Sequence, residues 1–401
     1  MNLINLREFE YEIDKIISFE DDELIFGNTE DENGIYKRYF YKYNPKNKNI
    51  QKINKIGIDT CESALYNSQI YHDYIYTNSY IMNHDRIETY IYRISLIDGE
   101  IEKLYFIEKE LSVILLSQGY ALLEGTNFCV DEEHSDSQKD TEGDYEYAIL
   151  YDLKNKTEYE IKDLRVVWGI RDYFIPYTID GDIYIVFEEA YMEDWELEQL
   201  YKEGVKKDDF YKNSYIESIN IISLNNFAES VKKGCDTIPF YQVHKTELNA
   251  WTRYFGMDEE KIYYRVKDFI SKVQDIYSID KRTFKKCLIK SIQMDNIEAT
   301  CSWYTVNYDI DNRRIYEINI EDDDNVKVKE IFNEDFMFKF KGSNEGVMGL
   351  IDNFFVTSFW TEDENGDNYK NFVKIRNINN GSENVYEGSC SIIKNNLILF
   401  Q

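Results

Sequence analysis

The chain has 401 residues, 43% of them hydrophobic, and a formal net charge of −30. That apolar content supports a packed core and excludes global disorder. The charge excludes a nucleic-acid binder, which needs a basic surface to release counterions, and it disfavours anionic membranes.

The first residues, MNLINLREFEYEIDKII, have no basic start followed by an apolar run, so no signal peptide is expected. No stretch approaches the ~18 apolar residues of a membrane span. The cysteines (Cys61, Cys129, Cys235, Cys287, Cys301, Cys390) form no CxxC pair. Free thiols and a cytoplasmic setting are the expectation. Tyr (35) and Phe (23) are abundant, which favours pleated, half-buried strands.

Taken in chain order, one pattern recurs: a strand, a tight acidic or amide turn, then a second strand. It reads IISFEDDELIFGN from Ile16, ALYNSQIYHDYIYTN from Ala64, SVILLSQGYALLEG from Ser112 and FIPYTIDGDIYIVFEE from Phe174. It returns as RYFGMDEEKIYYRV from Arg253, GVMGLIDNFFVTSFW from Gly346 and SIIKNNLILF from Ser391. We label these strands A and B. A second hairpin pattern, C and D, follows most of them: YFYKYNPKNKNIQKI from Tyr39, YIYRISLIDGEIEKL from Tyr90 and AILYDLKNKTEYEI from Ala148. Further copies are INIISLNNFAESV from Ile219, YTVNYDIDNRRIYEI from Tyr304 and FVKIRNINNGSENVY from Phe372. Asn, Asp, Gly and Lys stand where hairpin turns need positive φ or side-chain-to-backbone bonds.

An A-B-C-D meander repeated around a ring is a β-propeller blade. The expected fold is all-β: one propeller domain over residues 1–401, closed by strands from both termini, which leaves no exposed edge. Seven four-stranded blades are preferred. Eight is the alternative, because a second C-D candidate, IYSIDKRTFKKCLIK from Ile276, crowds residues 261–318. DYIYTN (73–78), YIYRISLIDG (90–99) and DGDIYIVFEE (180–189) resemble blades of TolB-like and low-density-lipoprotein-receptor-like propellers. The resemblance implies a propeller fold and no catalytic residue.

In such a ring the B-C and D-A connections share one face. The long B-C connections are acidic: 29–34, the segment from Ser79, 126–146 and 361–368. Residues 190–215 form a helical insertion, with Leu197, Leu200, Tyr201 and Val205 at helical spacing and Asp194 as N-cap. Binding residues expected on this face are His84, Asp85, Arg86, Asp136, Asp140, Asp144 and Trp195. The motif TEDENG occurs at 29–34 and 361–366. It lacks the EF-hand order, so its Asn-Gly is read as a turn and no metal is expected. There is no GxSxG elbow and no glycine-rich phosphate loop, so neither catalytic residues nor cofactors are assigned. The expected function is a non-catalytic scaffold, monomeric, offering an acidic face to a protein or basic peptide. A carbohydrate-active enzyme with an acidic axial site is the alternative.

Overall fold

A computed structural model describes the chain apart from residues 1, 8, 10–12, 62–66, 84–85, 128–144, 164–165, 167–173, 192–215, 246–249, 269–270, 294–301, 307–314, 323–324, 331–336, 341–344, 363–368 and 394–395. The recurrent tight turns are its local origin. Asp21 and Asp22 (φ 50° and 62°) and Asp180 and Gly181 (φ 53° and 88°) take the left-handed conformation that two-residue hairpins require. Asn33 and Gly34 (φ 60° and 84°) do the same inside the first TEDENG. There Glu32 and Ile35 exchange backbone hydrogen bonds, and Asp31 accepts from the Gly34 amide at 2.6 Å. That copy is a hairpin turn. In the second copy, residues 363–366 lie outside the described residues.

Strand β1 (Asn2–Asn5) comes first. Sheet I holds β2 (Lys15–Glu20), β3 (Glu23–Asp31), β4 (Tyr36–Asn44) and β5 (Asn49–Lys52), with β6 (Ile58–Thr60) also paired to β4. Sheet II holds β7 (Ser68–Tyr71), β8 (Tyr74–Asn83), β9 (Arg86–Ser95) and β10 (Ile101–Ile107). Sheet III holds β11 (Ser112–Leu115), β12 (Tyr120–Asn127), β13 (Tyr145–Asp152) and β14 (Thr157–Glu160). Sheet IV holds β15 (Phe174–Ile179), β16 (Asp182–Tyr191), β17 (Ile216–Ser223) and β18 (Tyr241–Lys245), with helix α1 (Leu224–Lys232) between the last two. Sheet V holds β19 (Ala250–Met257), β20 (Lys261–Asp268), β21 (Val273–Asp280) and β22 (Lys286–Gln293). Sheet VI holds β23 (Ser302–Val306), β24 (Ile315–Asp322), β25 (Asn325–Glu330) and β26 (Met337–Phe340). Sheet VII holds β27 (Gly346–Ile351), β28 (Phe354–Glu362), β29 (Tyr369–Asn377) and β30 (Glu383–Glu387). The last sheet holds β31 (Ser389–Ile393) and β32 (Asn396–Phe400), and β1 lies along β32 in parallel.

Several neighbouring sheets meet through their first strands: β31 with β27, β2 with β31, β7 with β2, β23 with β19. Sheet V also meets sheet IV through β17 and β16, which contact β19. Apolar cores fill the junctions. Phe26 and Tyr41 of sheet I pack with Ile398 and Phe400 of the last sheet. Leu111 and Leu123 of sheet III pack with Ile91 of sheet II. Tyr177 and Ile219 of sheet IV pack with Tyr264 of sheet V.

Three expectations are corrected or left unplaced. Among the described residues there are eight sheets, and the hairpin from Tyr304, read above as a C-D pair, instead supplies the first two strands (β23, β24) of its own sheet. The segment from Ile219 is not a C-D hairpin. Ser223 caps α1 by accepting from the Asn226 amide, and Leu224, Phe227, Ala228 and Val231 bury one helical face. The helical insertion expected at 190–215 falls on residues 192–215, outside the described residues. No helix among the described residues is long and apolar enough to cross a membrane.

Candidate functional site

Most of the residues expected to bind lie outside the described residues: His84, Asp85, Asp136, Asp140, Asp144 and Trp195. Arg86 opens β9 opposite Asn83, and its side chain is likewise outside the description. The grouping of these residues lies outside the described residues. The described residues do show charged clusters beside the first strands of sheets I and VII. Sequence reasoning missed them. The signal was a charged residue inside an aromatic or aliphatic strand, as in KRYFYKY and FVKIRN.

In sheet I, Asp14 precedes β2. It accepts a hydrogen bond from Thr29 Oγ1 at 2.5 Å, across the pairing of Lys15 with Gly27. Burial raises the Asp14 pKa, with Thr29 and the Arg38 guanidinium pulling the other way. Burial, then Arg38, lowers that of Lys15. Asp14 is nevertheless exposed by surface area. Arg38 itself is 1% exposed. It donates from Nη1 to the Asn78 carbonyl at 3.0 Å and from Nη2 to Thr60 Oγ1 at 3.3 Å, tying sheet I to sheet II.

The equivalent position in sheet VII is Glu345, immediately before β27. It accepts from Thr357 Oγ1 at 2.5 Å, from Arg376 Nη1 at 2.6 Å and Nη2 at 2.8 Å, and from Lys374 Nζ. Arg376 is fully buried and also donates from Nε to Glu383 at 2.7 Å. Burial alone would raise the Glu345 pKa. The bonds from Arg376, Lys374 and Thr357 outweigh it and hold the carboxylate below its ordinary range. Two acids at matching strand positions are thus driven in opposite directions by what surrounds them.

The same level carries polar links between neighbouring sheets. The Asn67 side-chain amide donates to the Val113 carbonyl, and Tyr80 Oη donates to the Leu111 carbonyl at 2.9 Å. Burial pushes the Tyr80 hydroxyl up to about 12. Glu188 of sheet IV accepts from the Tyr254 amide of sheet V at 3.1 Å. These links satisfy polar groups that would otherwise be costly to bury, and they join neighbouring sheets. Elsewhere, His244 meets the rings of Tyr264 and Tyr277 and bonds Lys286. Burial, then Lys286, lowers its pKa to about 4, so it stays neutral near pH 7. Among the described residues no group of three or more His, Cys, Asp or Glu could hold a metal ion.

No protein-family model matches the chain, and neither does any curated protein. Solved structures are similar to it. One is a prolyl endopeptidase, at 9% identity and a TM-score of 0.49, aligned over 94% of this chain and 50% of its own. Another is dipeptidyl peptidase 4 of Porphyromonas gingivalis, at 10% identity and a TM-score of 0.48, over 97% of this chain and 56% of its own. A third is the β-propeller domain of the trilobed protease of Pyrococcus furiosus, at 11% identity and a TM-score of 0.44, over 94% and 97%. At such identity the likeness is one of fold. The chain spans about half the length of the prolyl endopeptidase and of the dipeptidyl peptidase. The neighbours are mostly peptidases. On that finding the expected non-catalytic, partner-binding scaffold is corrected; an oligogalacturonate lyase is also among the neighbours.

Proposed function

We propose that the chain is an eight-bladed propeller, one domain over residues 1–401, that serves a peptidase-like protein by controlling which peptides reach a hydrolytic centre along its axis. In this reading the ring closes at the pairing of β1 with β32, the repeats are TolB-like, and the protein acts as a cytoplasmic monomer. The supporting observation is the polar network beside the first strands. Asp14 bonds Thr29 there, and Arg38 and the Asn67–Val113 link join neighbouring sheets. A fixed set of donors and acceptors suits the polar backbone of an extended peptide. The peptidase class itself is taken from the names of the neighbouring structures.

The test uses the native protein that carries this chain, incubated with fluorogenic peptides of increasing length and with a folded protein substrate. The panel includes prolyl, acylaminoacyl and dipeptidyl substrates. The expected outcome is hydrolysis of short peptides, falling off with length, and an intact folded substrate. Hydrolysis of none of the panel overturns the reading, as does equal hydrolysis of the folded protein.

A further inference from the structure

The last sheet is one strand short. Its order is β31, β32, β1, and β31 is the strand that meets β27 and β2. In each of sheets I to VII the third strand carries a fourth, antiparallel to it: β5 on β4, β10 on β9, β14 on β13, β18 on β17, β22 on β21, β26 on β25 and β30 on β29. Strand β1 stands in third place, and among the described residues no strand pairs its outer edge. Its four residues are enough to carry one, since β5, β14 and β26 are four residues long as well.

The backbone of β1 is set to receive such a strand. The Leu6 amide donates inward, to the Leu399 carbonyl at 2.8 Å. Backbone groups of successive strand residues point to opposite edges. Ile4 therefore faces β32 as Leu6 does, and Leu3 and Asn5 turn their N–H and C=O groups outward. Side chains alternate between faces in the same way. Ile4 packs into the cluster that holds Phe26 and Tyr43 of sheet I, whereas Leu3, on the other face, is 41% exposed. The strand is anchored at both ends. Asn2 bonds Asn396 at 3.3 Å. Arg7 donates from Nε to Asn5 Oδ1 at 3.0 Å, and its guanidinium lies 4.8 Å from the ring centroid of Tyr386 in sheet VII. The edge is thus held in place without being covered. Joining two β1 edges would bring together two chains that each carry a net charge of −30. That repulsion disfavours a second copy and favours a cationic peptide.

We propose that the outer edge of β1 is a binding site for an extended peptide with cationic ends, which adds as the fourth, antiparallel strand of the last sheet. Its backbone exchanges hydrogen bonds with Leu3 and Asn5. Apolar side chains at neighbouring positions of the peptide lie beside Ile4 on one face and Leu3 on the other. The inference goes beyond the peptidase reading, and its test does not depend on hydrolysis.

The full chain is titrated with the peptide acetyl-KTVIVTK-amide by calorimetry and ligand-observed NMR. The control is the same peptide methylated on every internal amide nitrogen, which has no donors for the edge. The expected result is saturable binding of the first and none of the second. Hydrogen exchange of the Leu3 amide slows on binding, while that of Leu6, already bonded to Leu399, is unchanged. Leu3→Pro removes the outward N–H and leaves the bonds to β32, and proline is tolerated at such an edge position. It weakens binding by about tenfold. An unchanged unfolding midpoint shows that this variant folds, and the methylated control and the exchange measurement carry the test without it. No saturable binding overturns the proposal. So does equal binding of the methylated peptide, or binding that leaves exchange at Leu3 as it was. A dimer in sedimentation that Leu3→Pro disperses overturns it in favour of a second copy.

Discussion

Asp14 and Glu345 hold the same place in their sheets, and their environments set opposite pH behaviour. The Glu345 pKa is depressed in the folded protein. Its stabilisation is therefore fully present above the ordinary carboxylate pKa and is lost as pH falls through the depressed value. Glu345→Gln should lower the urea midpoint clearly at pH 7, and the gap from the unaltered protein should close in strong acid. A gap independent of pH would show that charge is not the cause. The Asp14 pKa is raised, so its contribution is present below the unfolded value and is lost as pH rises through the folded one. Asp14→Asn keeps an acceptor for Thr29 and removes the desolvated charge. It should raise the midpoint at pH 7 and change little near pH 3. Truncating Arg376 to Ala leaves the Glu345 carboxylate with Lys374 and Thr357 alone. Breaking a buried pair in this way costs about 3–5 kcal/mol, readable as a fall in the urea midpoint. None of these roles was legible in the sequence. The chain carries 76 acidic residues, and only the fold shows that these two stand immediately before the first strands of sheets I and VII.

At the level of elements, legibility followed turn chemistry. Asp-Asp, Asn-Gly and Asp-Gly pairs specify left-handed backbone at fixed places, and the A-B hairpins at Ile16 and Phe174 appear where those pairs predict them. The segment from Ile219 failed for a related reason. Its Asn225-Asn226 pair imitates a hairpin turn, while Ser223 and the spacing of Leu224, Phe227, Ala228 and Val231 specify a capped amphipathic helix. Turn residues and helix caps draw on the same polar side chains, and the apolar period decides between them. The helix then gains more from packing than from its own propensity. Phe227 is fully buried between sheets III and IV, against Phe174 at 5.4 Å. Phe227→Ala should cost about 3–5 kcal/mol, whereas Ser223→Ala should cost about 1 kcal/mol. Chemical denaturation of both variants measures the ratio. Equal losses would mean that α1 is held by its cap and not by the sheets.

For the whole molecule, the decisive contact joins the two ends of the chain. Strand β1 is short and parallel to β32, with Asn2 opposite Asn396 and their side-chain amides bonded at 3.3 Å. Leu6 continues the link by donating its amide to Leu399 at 2.8 Å, and it packs with Ile398 and Phe400. This pairing covers the edge of β32, which would otherwise template association with another chain. It also places two residues 394 positions apart within reach of a covalent bridge. A variant carrying Asn2→Cys and Asn396→Cys should form an intramolecular disulfide under mild oxidation, because the paired side chains already meet. Closing so long a loop restricts the unfolded chain, and the chain-entropy argument gives about 6 kcal/mol as an upper value. The expected readout is a denaturation midpoint that rises on oxidation and returns on reduction. Failure of the bridge to form within one chain would refute the pairing of the ends. The same variant separates two routes for substrate in the peptidase reading. If peptides pass along the axis, the bridge leaves hydrolysis of short peptides unchanged, because the inner strands do not move. If they enter by parting β1 from β32, the oxidised form is slowed and the reduced form is not.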